Sequence, residues 1–118
     1  MAAQKSTTIS VYDALQSLPE ERKERSISLW EHGSLEVKLY APRGADLQTP
    51  HTRDEIYVVL RGRGEFLTND ERRTVGPGDF IFAEAGVEHR FENFSDGLAL
   101  WVFFFGPEGG EEKSTVPL

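Results

Sequence analysis

The chain contains no cysteine, and this absence excludes several kinds of chemistry. Disulfide cross-links, thiolate ligands for a metal ion and a cysteine nucleophile are all ruled out. Chains without cysteine suit the reducing cytoplasm, so we expect a cytoplasmic protein. The first eight residues lack the apolar core of a secretory signal, which agrees with that expectation.

Long apolar runs and basic patches are lacking as well. The longest apolar run covers residues 98–105, far fewer than the roughly 20 residues that a membrane-spanning helix needs. The net charge is −7, with 13 Lys and Arg residues against 20 Asp and Glu residues. Nucleic acids and anionic membranes bind basic surfaces, so we expect neither as a partner.

The sequence does contain many short segments in which apolar and polar residues alternate, separated by Gly, Pro, Asn and Asp. Such segments are typical of β-strands joined by tight turns. With 118 residues the chain fits one domain, and the pattern predicts an all-β antiparallel sandwich or barrel. The predicted strands cover residues 27–30, 35–40, 56–60, 65–68, 72–75, 80–83, 87–94 and 98–105.

A short helix is predicted before the first strand. Ser10 is a typical N-cap with Asp13 three residues later, and Val11, Leu15 and Leu18 would share one face of the helix. The chain therefore divides into three predicted parts. These are an N-terminal extension with a short helix (1–25), a β-domain (26–106) and a flexible acidic tail (107–118).

Two histidines and a glutamate stand out because side chains alternate across a strand. In the strand at 87–94, the polar neighbours Glu88 and Arg90 belong in water, so His89 should point inward. His51 and Glu55 are four residues apart, so their side chains lie on the same face of the strand if that strand is regular from residue 51 onward. A buried carboxylate is costly unless it is paired or bound to a metal ion. Together these donors suit a transition-metal site.

A simpler interpretation of each residue stays open. An inward histidine such as His89 is commonly a hydrogen-bonded core residue. His51 follows Pro50 and is equally consistent with a loop. Glu55 could lie on an exposed edge, and Tyr57 could either fill the core or donate a hydrogen bond to a ligand.

Two stretches of the chain, within residues 34–106, resemble the two signature motifs of the cupin superfamily. The residues that carry the resemblance are Glu55, Gly62, Gly78, Gly86, His89 and Asn93. Two positions depart from the family pattern. Thr49 stands where cupins have a first histidine, and Glu84 stands where they usually have proline.

The resemblance implies a jelly-roll β-barrel that holds one divalent transition metal ion (Fe, Mn, Ni, Zn or Cu). It places His51, Glu55 and His89 at ligand positions. A further, weak oxygen donor is either Gln48, if Pro50 turns it inward, or the Thr49 hydroxyl. The implied function is metal-dependent chemistry on a small organic molecule, of the oxygenase, isomerase, decarboxylase or cyclase type. The alternative is a non-catalytic module that binds or senses a small ligand, with or without a metal ion.

The last strand and the strand at 56–60 are apolar on both faces. One face must line the barrel, and the other must be covered by something else. The N-terminal helix can cover part of that outer face. Cupins of this size commonly pair through their sheets, so the resemblance predicts a homodimer.

Overall fold

The computed structural model describes residues 6–18, 25–69 and 71–112, and there it places eight strands in two antiparallel sheets. The five-stranded sheet has the order β1-β2-β8-β3-β6, and the three-stranded sheet has the order β5-β4-β7. The elements are α1 (Val11–Gln16), β1 (Ser26–His32), β2 (Leu35–Tyr40), β3 (Asp54–Arg61), β4 (Gly64–Thr68), β5 (Arg72–Val75), β6 (Phe80–Ala83), β7 (His89–Glu92) and β8 (Ala99–Phe105).

All eight predicted strands are present, and two of them are shorter than predicted, β8 by one residue and β7 by four. β7 begins at His89 because the residues before it form a turn, in which the Val87 N–H donates to the Glu84 carbonyl at 3.1 Å. The turn contains Gly86, whose φ of 81° suits glycine. His89 therefore lies at the very start of its strand, beside the loop. The division at residues 25 and 106 stays a prediction, and residues 113–118 of the predicted tail lie outside the described residues.

The main core lies between the two sheets. On β3, Tyr57 and Val59 are buried, and their cross-strand partners on β8, Val102 and Leu100, are buried on the same face of the sheet. The three-stranded sheet contributes Phe91 and other apolar side chains to the same cluster. The predicted alternation on these strands is confirmed, and it determines which side chains reach the interior.

Helix α1 covers part of the outer face of the five-stranded sheet. The Ser10 hydroxyl accepts the Asp13 N–H at 3.0 Å, so the predicted N-cap is confirmed. Leu15 and Leu18 of the predicted face do pack against the sheet, but Val11 does not. Ala14 and Leu18 pack on the sheet beside Leu39, while Val11 is 40% exposed. No helix in the described part of the chain has both the length and the apolar character needed to cross a bilayer.

Candidate metal centre

The structure brings together the three side chains that the sequence singled out. His51 lies in the loop before β3, Glu55 is the second residue of β3, and His89 opens β7. His89 Nε2 lies 2.8 Å from Glu55 Oε1, and His51 Nε2 lies 3.9 Å from the same oxygen. One donor atom from each residue lies within 4.8 Å of the others. Glu55 and His89 are buried, while His51 is partly exposed.

Backbone contacts hold the two loops that carry the histidines against each other. The Gly86 N–H donates to the His51 carbonyl at 2.7 Å. The carboxylate of Asp54, only 3% exposed, accepts the N–H of Ala85 at 3.0 Å and that of Glu111 at 2.9 Å. The start of β3 is thereby tied to the loop before β7 and to the chain after β8, so the donors meet at a defined place.

The hydrogen bonds of His89 prepare its Nε2 atom to act as a ligand. The Val87 carbonyl can only accept, so Nδ1 carries a proton and donates to it at 2.8 Å. Burial lowers the pKa of His89, but the bonds to Glu55 and to Val87 outweigh burial, and the net pKa is raised. Without a metal ion, His89 Nε2 and Glu55 Oε1 therefore share a buried hydrogen bond of 2.8 Å. A cation bound at Nε2 would take the place of the proton in that bond.

His51 is a neutral imidazole at pH 7. Burial lowers its pKa, and the nearby charges of His89 and Lys38 lower it further, while Glu55 acts in the opposite direction. Its contact with Glu55 at 3.9 Å is therefore not an ion pair. A neutral imidazole is the form that binds a metal ion, so the electrostatics of the site favour coordination by His51.

Gln48 also faces the cluster, with its amide oxygen 3.4 Å from His51 Nε2. Tyr57 donates its phenolic proton to the same oxygen at 2.7 Å. The amide nitrogen of Gln48 donates to Asp46 Oδ2 at 2.6 Å. Because the nitrogen is held by a carboxylate, the oxygen must point at the site. Thr49, the other candidate at this end of the loop, is exposed.

Asp46, which the sequence did not indicate, also contributes to the site, and so does Tyr57, for which two roles had been left open. Asp46 also accepts the Phe91 N–H at 2.8 Å and the hydroxyl of Tyr40, which ties the loop to both sheets. The hydroxyl of Tyr57 lies 3.1 Å from His89 Nε2. Burial, and next the charge of Glu55, raise the pKa of Tyr57 well above its usual range, so the phenol stays protonated. Tyr57 thus fills the core and also serves the site. The sequence signal for this role was that Tyr57 is two residues from Glu55 and so lies on the same face of the strand.

This fold and this donor set agree with a comparison against known families. The cupin domain family profile matches residues 37–105. The chain belongs to the cupin family. That match spans β2 to β8 and includes Glu55, His89 and the three motif glycines Gly62, Gly78 and Gly86.

Three proteins similar to this cupin in sequence or in fold illustrate how far the similarity extends. An uncharacterized protein of Streptomyces coelicolor is 36% identical over 77 residues, which cover 64% of this chain and 73% of the relative. A Rhizobium leguminosarum structure of unknown function has a TM-score of 0.74 at 20% identity, covering 86% of this chain and 98% of that one. The DMSP lyase DddQ from Ruegeria pomeroyi has a TM-score of 0.60 at 28% identity, covering 71% of this chain and 47% of that chain.

The donor atoms of this cupin fit a transition metal ion. Ligand atoms that each lie about 2.1 Å from one ion are at most about 4.2 Å apart. The separations of 2.8 and 3.9 Å satisfy that limit, and the largest separation, 4.8 Å or less, needs only a small shift. Two imidazoles and one carboxylate match the facial set of non-haem iron sites, which leaves positions open for other ligands. Within the described ranges, no buried side-chain nitrogen or oxygen lacks a hydrogen-bond partner.

Two adjoining pockets that share Lys38, His51 and Phe104 lie beside the site, and we call them its inner and outer lobes. The inner lobe, about 50 Å³, is lined by His51 and Glu55 together with Val102 and Phe104 of β8. It has room for about one or two water-sized groups. The outer lobe, about 240 Å³, shares His51 and Phe104 with the inner one. Pockets for drug-sized ligands measure about 300–1,000 Å³, so this one suits a small molecule.

Proposed function

We propose that this cupin is a metal-dependent enzyme that acts on a small organic molecule. His51, Glu55 and His89 hold one divalent transition metal ion, and Gln48 offers a fourth, weaker oxygen donor. The observation that carries the proposal is the convergence of these donors beside the inner lobe. Imidazole and carboxylate donors suit Fe, Mn, Ni, Zn and Cu alike, so the proposal names the class of ion rather than one element.

Each residue of the site has a separate task in this proposal. A bound ion would supply Lewis-acid polarisation of a substrate oxygen, or an open position for a small ligand. The Nδ1–H bond to the Val87 carbonyl keeps Nε2 of His89 directed at the ion. Asp46 keeps the amide oxygen of Gln48 facing inward. Val102 and Phe104 form an apolar wall that limits the access of water.

The reaction types that we consider are oxygenase, isomerase and cyclase chemistry. The likeness to a protein named as a DMSP lyase adds support for an enzyme, although this chain spans about half of that protein's length. The absence of cysteine supports the further proposal that the enzyme works in the cytoplasm.

A second candidate function is a module that binds a small ligand without turnover. It is favoured by the buried pair of His89 and Glu55, whose 2.8 Å contact satisfies both groups without a metal ion. The two candidates differ in what they require. An enzyme of the proposed kind loses its activity when the metal ion is removed. A metal-free module keeps its affinity for its ligand under the same treatment.

We expect protein purified without chelator to carry close to one equivalent of a divalent metal ion per chain. Removing the ion with EDTA should lower the melting temperature, because an ion that binds only the folded state stabilises it. Metal content by plasma mass spectrometry and melting by circular dichroism measure both effects. Oxygen uptake and product formation over a panel of diols, thiols and oxo-acids then test for turnover. A folded protein without tight metal binding would contradict the proposal.

We also propose that the protein is a homodimer formed through the outer face of its five-stranded sheet. Two cross-strand rows of apolar side chains lie there, and we call them the outer apolar patch. The rows are Phe80–Val58–Trp101 and Phe82–Ile56–Phe103. Phe80 is 66% exposed and Phe82 is 49% exposed. A contiguous apolar face of this kind is typical of an interface, and a second copy presents the same face to it.

Light scattering at micromolar concentration should give twice the chain mass of 13.3 kDa. The double variant Phe80→Glu/Phe82→Glu should give the mass of one chain, because forming the dimer would bury two charged side chains in the outer apolar patch of each copy. Tyr12→Glu is the matched control, since it places a charge at a 70% exposed aromatic on α1 and should leave the dimer intact. A monomeric wild-type protein would refute the dimer.

A further inference from the structure

Lys38 is a cation on the inward side of β2, in the wall of the pocket that leads to the candidate metal centre. It lines both lobes of that pocket, together with His51 and Phe104. Its register partner on β8 is the buried Val102. The outward neighbour Leu39 packs under α1 instead. On β2, therefore, the apolar side chain of Leu39 faces outward and the charged side chain of Lys38 faces the pocket.

Lys38 carries a charge that the surrounding protein does not neutralise. Among the described residues, no carboxylate forms an ion pair with its ammonium group. Its contact in the pocket is the ring of Phe104, whose centroid lies 5.9 Å from Nζ. A ring face attracts a cation but accepts none of its three N–H donors in a normal hydrogen bond. The donors of Lys38 are therefore available to a ligand.

Arg53, the other cation of the outer lobe, is already neutralised. Its guanidinium donates to Glu36 Oε1 at 3.1 Å and to the Ser34 carbonyl at 2.8 Å. The outer lobe thus holds one carboxylate and two cations, which leaves one positive charge, on Lys38. The whole chain carries a net charge of −7, so this local excess of positive charge runs against the composition.

We infer that Lys38 binds the carboxylate of the substrate, and that the substrate class is small organic acids. This inference rests on the proposed function, because it places the rest of the substrate over His51 and Glu55. A single free ammonium group matches a monoanion, whereas phosphate sites usually combine several donors from Arg, Lys or backbone N–H groups. The outer lobe of about 240 Å³ limits the acid to a few carbon atoms beyond its carboxylate.

The test uses lactate and lactamide, two probes of equal size that differ in charge. Titrations of ¹⁵N-labelled, Zn²⁺-loaded protein, followed by NMR chemical shifts, give a Kd for each probe. We expect lactate to bind at least about tenfold more tightly than lactamide, since hydrogen bonds to charged groups are the stronger ones. Lys38→Met should remove that preference, and Lys38→Arg should keep it. Arg73→Met, which removes a charge from an exposed position of β5, is the matched control.

Four outcomes would separate the inference from the proposed function. Equal affinity for both probes in metal-loaded protein would overturn the carboxylate site alone. An unchanged preference in Lys38→Met would do the same. Displacement of lactate by inorganic phosphate at lower concentration would overturn the assignment to carboxylates. Lys38-dependent lactate binding by a protein that takes up no metal ion would overturn the metal-dependent enzyme and keep the anion site.

Discussion

Glu55→Gln should lower the affinity of this cupin for a divalent metal ion by at least about 100-fold. Groups that merely orient metal ligands are worth about 10–100-fold, and Glu55 is proposed to be a ligand itself. The substitution keeps the size of a side chain that is only 2% exposed. It removes a carboxylate that contacts both histidines. Calorimetric titration of metal-stripped protein with Zn²⁺ and Mn²⁺ measures the change.

The fold should survive this substitution. In Glu55→Gln, His89 can release its proton and accept a hydrogen bond from the new amide, so no buried charge remains unpaired. Circular dichroism and the melting temperature check this point. Glu71→Gln is the matched control, because it removes a charge from a 60% exposed side chain between β4 and β5. A folded Glu55→Gln protein with wild-type metal affinity would refute the proposed role of Glu55.

Gly62→Ala should destabilise the protein by about 2–5 kcal/mol. Gly62 has a φ of 82°, and a left-handed conformation costs an L-residue about 1–2 kcal/mol. A Cβ at this position would also lie 2.6 Å from Leu98 Cα and 2.9 Å from Ser95 Oγ. Because Leu98 Cα belongs to the backbone, the chain itself must shift, and overpacking of this kind costs a further 1–3 kcal/mol or so. Urea unfolding measures the loss.

Gly78→Ala is the matched control for Gly62→Ala. Gly78 has a φ of 87°, but an added Cβ would meet nothing within 4 Å. The free energy of unfolding of Gly78→Ala should therefore fall only by the conformational cost of about 1–2 kcal/mol. If both variants lose the same free energy of unfolding, the close approach of β3's end to Leu98 is not a constraint. The two motif glycines would then serve the same purpose, contrary to what the geometry indicates.

The strand order along the chain was predictable from local pattern. Alternation has a period of two residues and is interrupted by turn residues, so each of the eight strands could be located before the structure was known. The same period placed His89 inward and gave Glu55 and Tyr57 a common face. These features depend on the nearest neighbours in sequence, which is why one chain was sufficient to find them.

The polar network behind the site was not predictable in the same way. Asp46 lies in a loop of no regular period, and its contacts with Gln48 and the Phe91 N–H follow from how that loop packs against strands of both sheets. The sequence offered Gln48 and Thr49 as alternatives for the missing ligand. The tertiary structure places Gln48 beside His51 and leaves Thr49 exposed.

The sequence alone determined the β architecture, its turns and the three side chains of the candidate site, because those depend on periodicity and on the spacing of two motifs. The tertiary structure decided which face of each strand meets which neighbour. On β2, alternation normally sends lysine to water, yet α1 covers the opposite face over Leu39, and Lys38 faces the pocket. A period of two identifies the two faces of a strand, but only packing against other elements decides which face is inside.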